Sequence, residues 1–219
     1  MMTTSRRPSE ILHRYEVLGA SAPSTAHVVA KVLNVVFPGI ATILDTTPGA
    51  GNFWSAGVPL QAQKLDTSLA DFRFLPFDDH SWDVVAFDPP HLAGLGRTSY
   101  FRNRYGTYQA SELPEVIRQG AIECWRVARV GLIAKVTDHV NSAHFKRESQ
   151  WVIEAIGQEP FEVVHVLHPA VGTARWPEQQ MSARNNGSTL LIFKRGSKYR
   201  RRVTAPPQPL QIETVGDVA

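Results

Sequence analysis

The sequence predicts an α/β fold with a mostly parallel central sheet, and three observations lead there. Short apolar runs of strand character alternate along the chain with segments whose apolar residues recur at helical spacing. Several of these runs stop abruptly at clusters of glycine or proline, as strands entering loops do. The length of 219 residues, 43% hydrophobic and 20% charged, suits one soluble domain with one sizeable core.

The elements follow in order. Ser24 precedes a helix over 25–37, in which Val28, Val29, Val32, Val35 and Val36 repeat at helical spacing before Pro38-Gly39 ends it. A short strand over 41–44 runs into Asp45-Thr46-Thr47-Pro48-Gly49-Ala50-Gly51, and a buried strand over 82–87 runs into Asp88-Pro89-Pro90. Residues 92–110 show no period and read as a long loop. Ser111 is the expected cap of a helix over 112–128, and Gly131 separates that helix from a strand over 132–136. A helix over 142–156 stops at Gly157, and strands over 161–167 and 189–194 close the fold as an antiparallel pair across the irregular stretch 169–188. The division is therefore a flexible segment 1–22, one domain over 23–196, and a basic then proline-rich tail over 197–219.

Composition narrows the class further. The single cysteine, Cys124, makes neither an internal disulfide nor a thiolate zinc cage, and its place on the apolar side of a helix reads as core. The basic N-terminus is not followed by the apolar run of a secretory signal, and every apolar stretch is too short to span a bilayer. A cytoplasmic, reduced protein is expected. The net charge of +3 is unevenly placed: residues 194–202 hold six basic side chains and no acid, leaving 17 basic against 20 acidic residues elsewhere. That stretch is either a solvated tail or a contact for nucleic acid.

Two motifs at predicted strand ends carry the chemistry. In the first, Gly49 and Gly51 let the backbone turn tightly and approach a ligand after the acid Asp45. Trp54 stands where a dinucleotide fingerprint needs its third glycine, and no Gly-Lys-Ser/Thr follows to make a phosphate loop. The second motif, Asp88-Pro89-Pro90-His91, has two prolines that remove backbone donors and leave carbonyls beside a carboxylate. Such an acceptor-rich edge suits a group with two N–H donors, for example the exocyclic amine of a nucleobase, and His91 adds a flat ring beside it.

With these residues in place, the chain resembles class I S-adenosylmethionine-dependent methyltransferases of the amino-methylating type, the DNA adenine and cytosine-amine methylases. Their signature pair is an Asp-Pro-Phe-x-Gly-Ser-Gly-like cofactor loop and an Asp/Asn/Ser-Pro-Pro-aromatic catalytic loop. The segments 70–77, 123–127, 135–138 and 184–193 are similar to blocks of small phage and actinobacterial members, so the resemblance spans about residues 25–195. It implies a Rossmann-like class I methyltransferase fold and S-adenosyl-L-methionine as cofactor. It also implies transfer of a methyl group to adenine N6 or cytosine N4 of DNA, and no metal. An RNA base amino-methyltransferase and a catalytically lapsed binding module are the alternatives. His91 departs from the family pattern, standing where an aromatic stacks on the target base.

Site residues carry over one by one. Asp88 and the Pro89 carbonyl are expected to accept the amine hydrogens, with Pro90 and His91 completing the catalytic loop. Asp45, Thr46, Pro48, Gly49, Gly51, Asn52 and Phe53 form the expected cofactor loop, with Asp45 facing the cofactor's amino group. Asp66 is the candidate for the ribose hydroxyls and Asp71 for the adenine amine, with Phe72 or Phe53 against the ring. Lys135 and Asp138 either line the site or form a surface pair. Arg97, Tyr100, Arg102, Tyr105, Arg184, Lys198, Arg200, Arg201 and Arg202 are candidate nucleic-acid contacts. The chain leaves no length for a separate target-recognition domain, so recognition falls to loops, the tail, or a homodimer partner.

Overall fold

The computed structural model describes residues 24–49, 52–55, 62–64, 70–91, 108–141, 144–167 and 187–196. Both predicted end segments lie outside the described residues.

Helix α1 (Thr25–Val36) begins where predicted, with the Ser24 hydroxyl accepting a hydrogen bond from the His27 amide at 3.4 Å. Strand β1 (Ile43–Asp45) follows, then a short 3-10 turn (Asn52–Trp54), β2 (Ala62–Lys64) and β3 (Trp82–Phe87). Helix α2 (Leu113–Val127) leads straight into β4 (Ala128–Val136). A small hairpin, β5 (His139–Asn141) and β6 (His144–Lys146), precedes α3 (Glu148–Ile156). Strands β7 (Glu162–Leu167) and β8 (Gly187–Lys194) complete the described elements.

The six-stranded sheet has the order β2-β1-β3-β4-β8-β7. The first four strands are mutually parallel, and β8 is inserted antiparallel to both β4 and β7. This order makes β1 a topological switch point, because the chain leaves β1 outward to β2 and then returns to its other side as β3. A crevice opens outside the carboxyl ends at such a point, and both candidate motifs lie there.

The period-2 alternation of strand side chains divides the core into two layers. Ile43, Val84, Ala86, Ile133, Leu190 and Ile192 pack toward α1. Leu44, Val85, Phe87, Leu132, Ala134, Leu191 and Phe193 pack toward α2 and Val152 of α3. Strands covered on both faces read as unbroken apolar runs, which is why β3 is legible in the sequence. Asp83 joins three strand starts: its carboxylate accepts the Ala41 and Thr42 amides at 2.7 and 3.1 Å, and pairs with Arg129 at 2.6 Å.

Three local expectations are corrected. Ser111 does not cap α2; Glu112 is the capping position without a side-chain bond, and proline in the first turn sets the start. Gly131 lies inside β4 rather than before it, paired with Val84 and Lys194, and a Cβ there would overlap the Phe37 ring and stand 2.5 Å from the Phe193 carbonyl oxygen. The predicted helix 142–156 begins only at Glu148. The preceding residues pair as a hairpin, and Asp138 accepts the Ser149 amide and hydroxyl at 3.0 and 2.7 Å, supplying the N-terminal cap from outside the helix. Replacing Gly131 with alanine is expected to destabilise the protein by about 1–3 kcal/mol, measured by urea unfolding, since a strand carbonyl cannot move aside freely.

Candidate active site

The loop after β1 is held in shape by its own side chains. Asp45 is 2% exposed, and its carboxylate accepts the Thr47 amide at 3.1 Å and the Trp54 indole N–H at 2.6 Å. Gly49 adopts φ of +47°, a left-handed conformation that favours glycine. Thr46 donates both its amide and its hydroxyl to the Ala86 carbonyl, at 3.1 and 3.0 Å. In return, the Asp88 amide donates to the Thr47 hydroxyl at 2.7 Å. The two motifs read separately in the sequence are thus hydrogen-bonded to each other at the carboxyl ends of β1 and β3.

Asp88 stands at the centre of a charged network. Its Oδ2 accepts from Lys135 Nζ at 2.8 Å and its Oδ1 from His91 Nε2 at 3.1 Å. The other ring nitrogen of His91, Nδ1, donates to Glu148 Oε2 at 2.8 Å, and the same oxygen accepts the Thr137 amide at 2.9 Å. A carboxylate lies against each ring nitrogen, and carboxylates only accept, so both nitrogens carry protons and the ring is an imidazolium. Burial opposes that charge, but the hydrogen bonds to Asp88 and Glu148 outweigh it and push the His91 pKa up to about 9. Burial likewise opposes the Asp88 charge, and the contacts with His91 and Lys135 outweigh it, holding its carboxyl below the usual range. Glu148 is fully buried, its Oε1 lacks a hydrogen-bond partner, and His139 Nδ1 lies 3.4 Å from it.

The remaining described candidates divide. Lys135 reaches the site, whereas Asp138 caps α3. Phe53 and Phe72 are each 9% exposed and lie in the core layers on opposite faces of the sheet, so they do not face one another. The Phe72 ring packs 5.6 Å from that of Phe87. Asp71 forms a two-pronged pair with Arg73, whose hydrogen bonds hold its carboxyl low. Cys124 is buried core, 3.4 Å from the Thr46 hydroxyl, and burial pushes its thiol up to about 12. Asn52 contributes to the 3-10 turn, and Pro48 is half-buried in the loop.

Gly51, Asp66, Arg97, Tyr100, Arg102, Tyr105, Arg184, Lys198, Arg200, Arg201 and Arg202 lie outside the described residues. Sequence reasoning missed Glu148 altogether, because nothing in the period of a predicted helix marks one glutamate as buried. Lys135 carried a usable signal: it sits near the carboxyl end of the strand beside β3, where such sheets place their ligands.

No protein-family model and no curated protein matches the chain. Among solved structures, one similar to it is the Burkholderia thailandensis 1,6-didemethyltoxoflavin-N1-methyltransferase, with 1,6-didemethyltoxoflavin and S-adenosylhomocysteine bound. It is 10% identical with a TM-score of 0.45, over 89% of this chain and 92% of that one. Another is a candidate DNA modification methylase from Thermus thermophilus complexed with S-adenosyl-L-methionine, 12% identical with a TM-score of 0.40, over 74% and 59%. The [4+2]-cyclase SpnF is 12% identical with a TM-score of 0.37, over 74% and 78%. At these scores the class of the fold rests on the chain's own strand order. Parallel β2-β1-β3-β4 with β8 inserted antiparallel before β7 is a Rossmann-like class I methyltransferase fold.

Proposed function

We propose that the chain is an S-adenosylmethionine-dependent methyltransferase acting on an exocyclic amine of a DNA base, adenine N6 or cytosine N4. The observation that carries this reading is the join between the two motifs: Asp88, at the end of β3, donates its amide to Thr47 of the loop after β1. A donor bound over that loop and an amine held at Asp88 would meet in one crevice.

The residues present fit such a cofactor. A loop with Gly49 in a left-handed turn and a buried carboxylate at its base offers both close backbone approach and a negative charge near a cationic amino acid. When bound, S-adenosylmethionine supplies an electrophilic methyl sulfonium. The chain's own work is then positioning. Asp88 and the Pro89 carbonyl accept the two amine hydrogens and aim the nitrogen lone pair, and Asp88 stabilises the positive charge that grows on nitrogen. The Asp88 oxygens keep acceptor capacity beyond the bonds from Lys135 and His91, since each has two lone pairs.

His91 fits this reading despite departing from the family aromatic. Both ring nitrogens are held, by Asp88 and Glu148, and the side chain is 26% exposed. A cationic ring held rigid at both nitrogens stacks on a flipped base and adds a cation–π attraction.

The test is direct. Incubated with labelled S-adenosylmethionine and unmethylated DNA, the full chain is expected to yield N6-methyladenine or N4-methylcytosine on nucleoside digestion. Label appearing only in RNA, or in neither polymer, would overturn the DNA assignment.

A further inference from the structure

The hairpin β5–β6 is absent from the sequence expectation, and it follows directly from the strand that carries Lys135. Its register pairs His139 with Lys146, Val140 with Phe145, and Asn141 with His144. Opposite residues of an antiparallel pair share a face, so Val140 and Phe145 form one side, with His139, Lys146 and His144 on the other. Phe145 is 57% exposed and Val140 42%, on a two-stranded ribbon of the kind that has little stability of its own. The Arg147 guanidinium lies 5.6 Å from the centre of the Phe145 ring.

Charge on this hairpin has one sign. No acid occurs between Asp138 and Glu148. Asp138 points its carboxylate at Ser149, and Glu148 is buried on His91 and Thr137. Lys146 and Arg147, with His139 and His144, are therefore the ionisable groups of this segment not turned into the site's acidic network, apart from the 3.4 Å approach of His139 to Glu148. Thr137 ties the base of the hairpin to the same glutamate that holds His91.

We propose that the face of this hairpin that carries Phe145, with Arg147 beside it, contacts the DNA strand flanking the target base. The assignment rests on the methyltransferase reading above and adds where the strand runs. An exposed aromatic ring with an adjacent guanidinium offers stacking planes to an unpaired base. The Arg147 cation neutralises a phosphate next to it.

The experiment measures binding of a fluorescently labelled single-stranded DNA 20-mer to the full chain by anisotropy, between about 50 and 200 mM salt, in parallel with RNA of the same sequence. Phe145→Ala is expected to weaken DNA binding roughly tenfold. The change Arg147→Gln should lower the slope of log affinity against log salt by about 0.7. Arg118→Ala, a charge removed from α2 where it pairs with Glu154, should bind as wild type does. Thermal melting and calorimetric binding of S-adenosylmethionine separate contact loss from fold loss. If Phe145→Ala does not fold, Arg147→Gln reads the same surface.

DNA binding that is equal in wild type and both hairpin variants would overturn the hairpin assignment while leaving the methyltransferase reading standing. A wild-type chain that binds no DNA, or binds only RNA, would overturn both the DNA reading and the assignment built on it.

Discussion

Asp88→Ala is expected to lower methyl transfer by at least about 10²–10³-fold, the range for losing one preorganised electrostatic contact, while calorimetric affinity for S-adenosylmethionine changes little. Asp88 is the only carboxylate of the crevice paired directly with both Lys135 and His91 among the described residues, at 2.8 and 3.1 Å. In the proposed mechanism its loss removes the acceptor for the amine, and it leaves the Lys135 and His91 cations without this carboxylate. Asp88→Asn separates these effects. It keeps an acceptor oxygen and the side-chain shape but drops the charge, so its rate should fall between those of alanine and wild type. Near wild-type turnover by Asp88→Ala would remove Asp88 from the mechanism. Affinity for the cofactor lost together with rate would instead point to collapse of the bond from Asp88 to Thr47.

The second large effect is on stability as pH rises. His91 has a folded pKa of about 9 against an ordinary value of 6.5. A raised pKa means that the folded state holds the proton more tightly. The contribution is complete below about pH 6.5 and is lost as pH climbs through 9. The shift corresponds to roughly 3 kcal/mol, so the melting temperature should fall steadily between those two values. Glu148→Gln tests the cause with little change of shape, because the amide oxygen can still accept from His91 and Thr137. Without the charge, the imidazole resonances of His91 should titrate at least about one unit lower by NMR, and the pH slope of melting should flatten. A titration midpoint unchanged from wild type would exclude Glu148 as the source of the imidazolium.

The same pair governs how the site is held. Glu148 belongs to the first turn of α3, and Asp138 caps that helix from just beyond the end of β4. The helix start, the His91 ring and the Asp88 carboxylate therefore share one hydrogen-bonded chain. The buried Glu148 carboxylate is satisfied on one oxygen, by an imidazolium and a backbone amide, and lacks a hydrogen bond on the other. Removing one partner of such a buried pair strands the remaining charge. Glu148→Ala is therefore expected to cost more stability than Glu148→Gln in urea unfolding, since it leaves the His91 charge and the Thr137 amide without that partner.

Much of the fold is legible in local pattern because the sheet is buried on both faces. The runs 84–87 and 190–193 are apolar at every position, and β1 and β3 end at motifs that no strand continues. The helix over 25–37 is readable from its valines and its serine cap. Within the predicted helix 142–156, residues 144–146 mislead for a physical reason: they hold no helix breaker, and pairing with β5 makes them a strand. Cap placement fails similarly at Ser111, where the proline in the first turn outweighs a good capping side chain.

By itself, the sequence determined the α/β class and the two strand-end motifs, because periodicity and backbone-restricting residues act locally. It also singled out Asp88, which the structure places in a charged network with Lys135 and His91. Tertiary structure decided what surrounds that carboxylate. Lys135, His91 and Glu148 come from β4, the loop after β3 and α3, and sequence distance says nothing about which of them meet. Folding brings them within hydrogen-bond reach, and the mutual attraction of charges removed from water then sets which groups carry protons. The identity of His91 could be read directly, but its role as a rigid cation could not, since that depends on a buried glutamate 57 residues away.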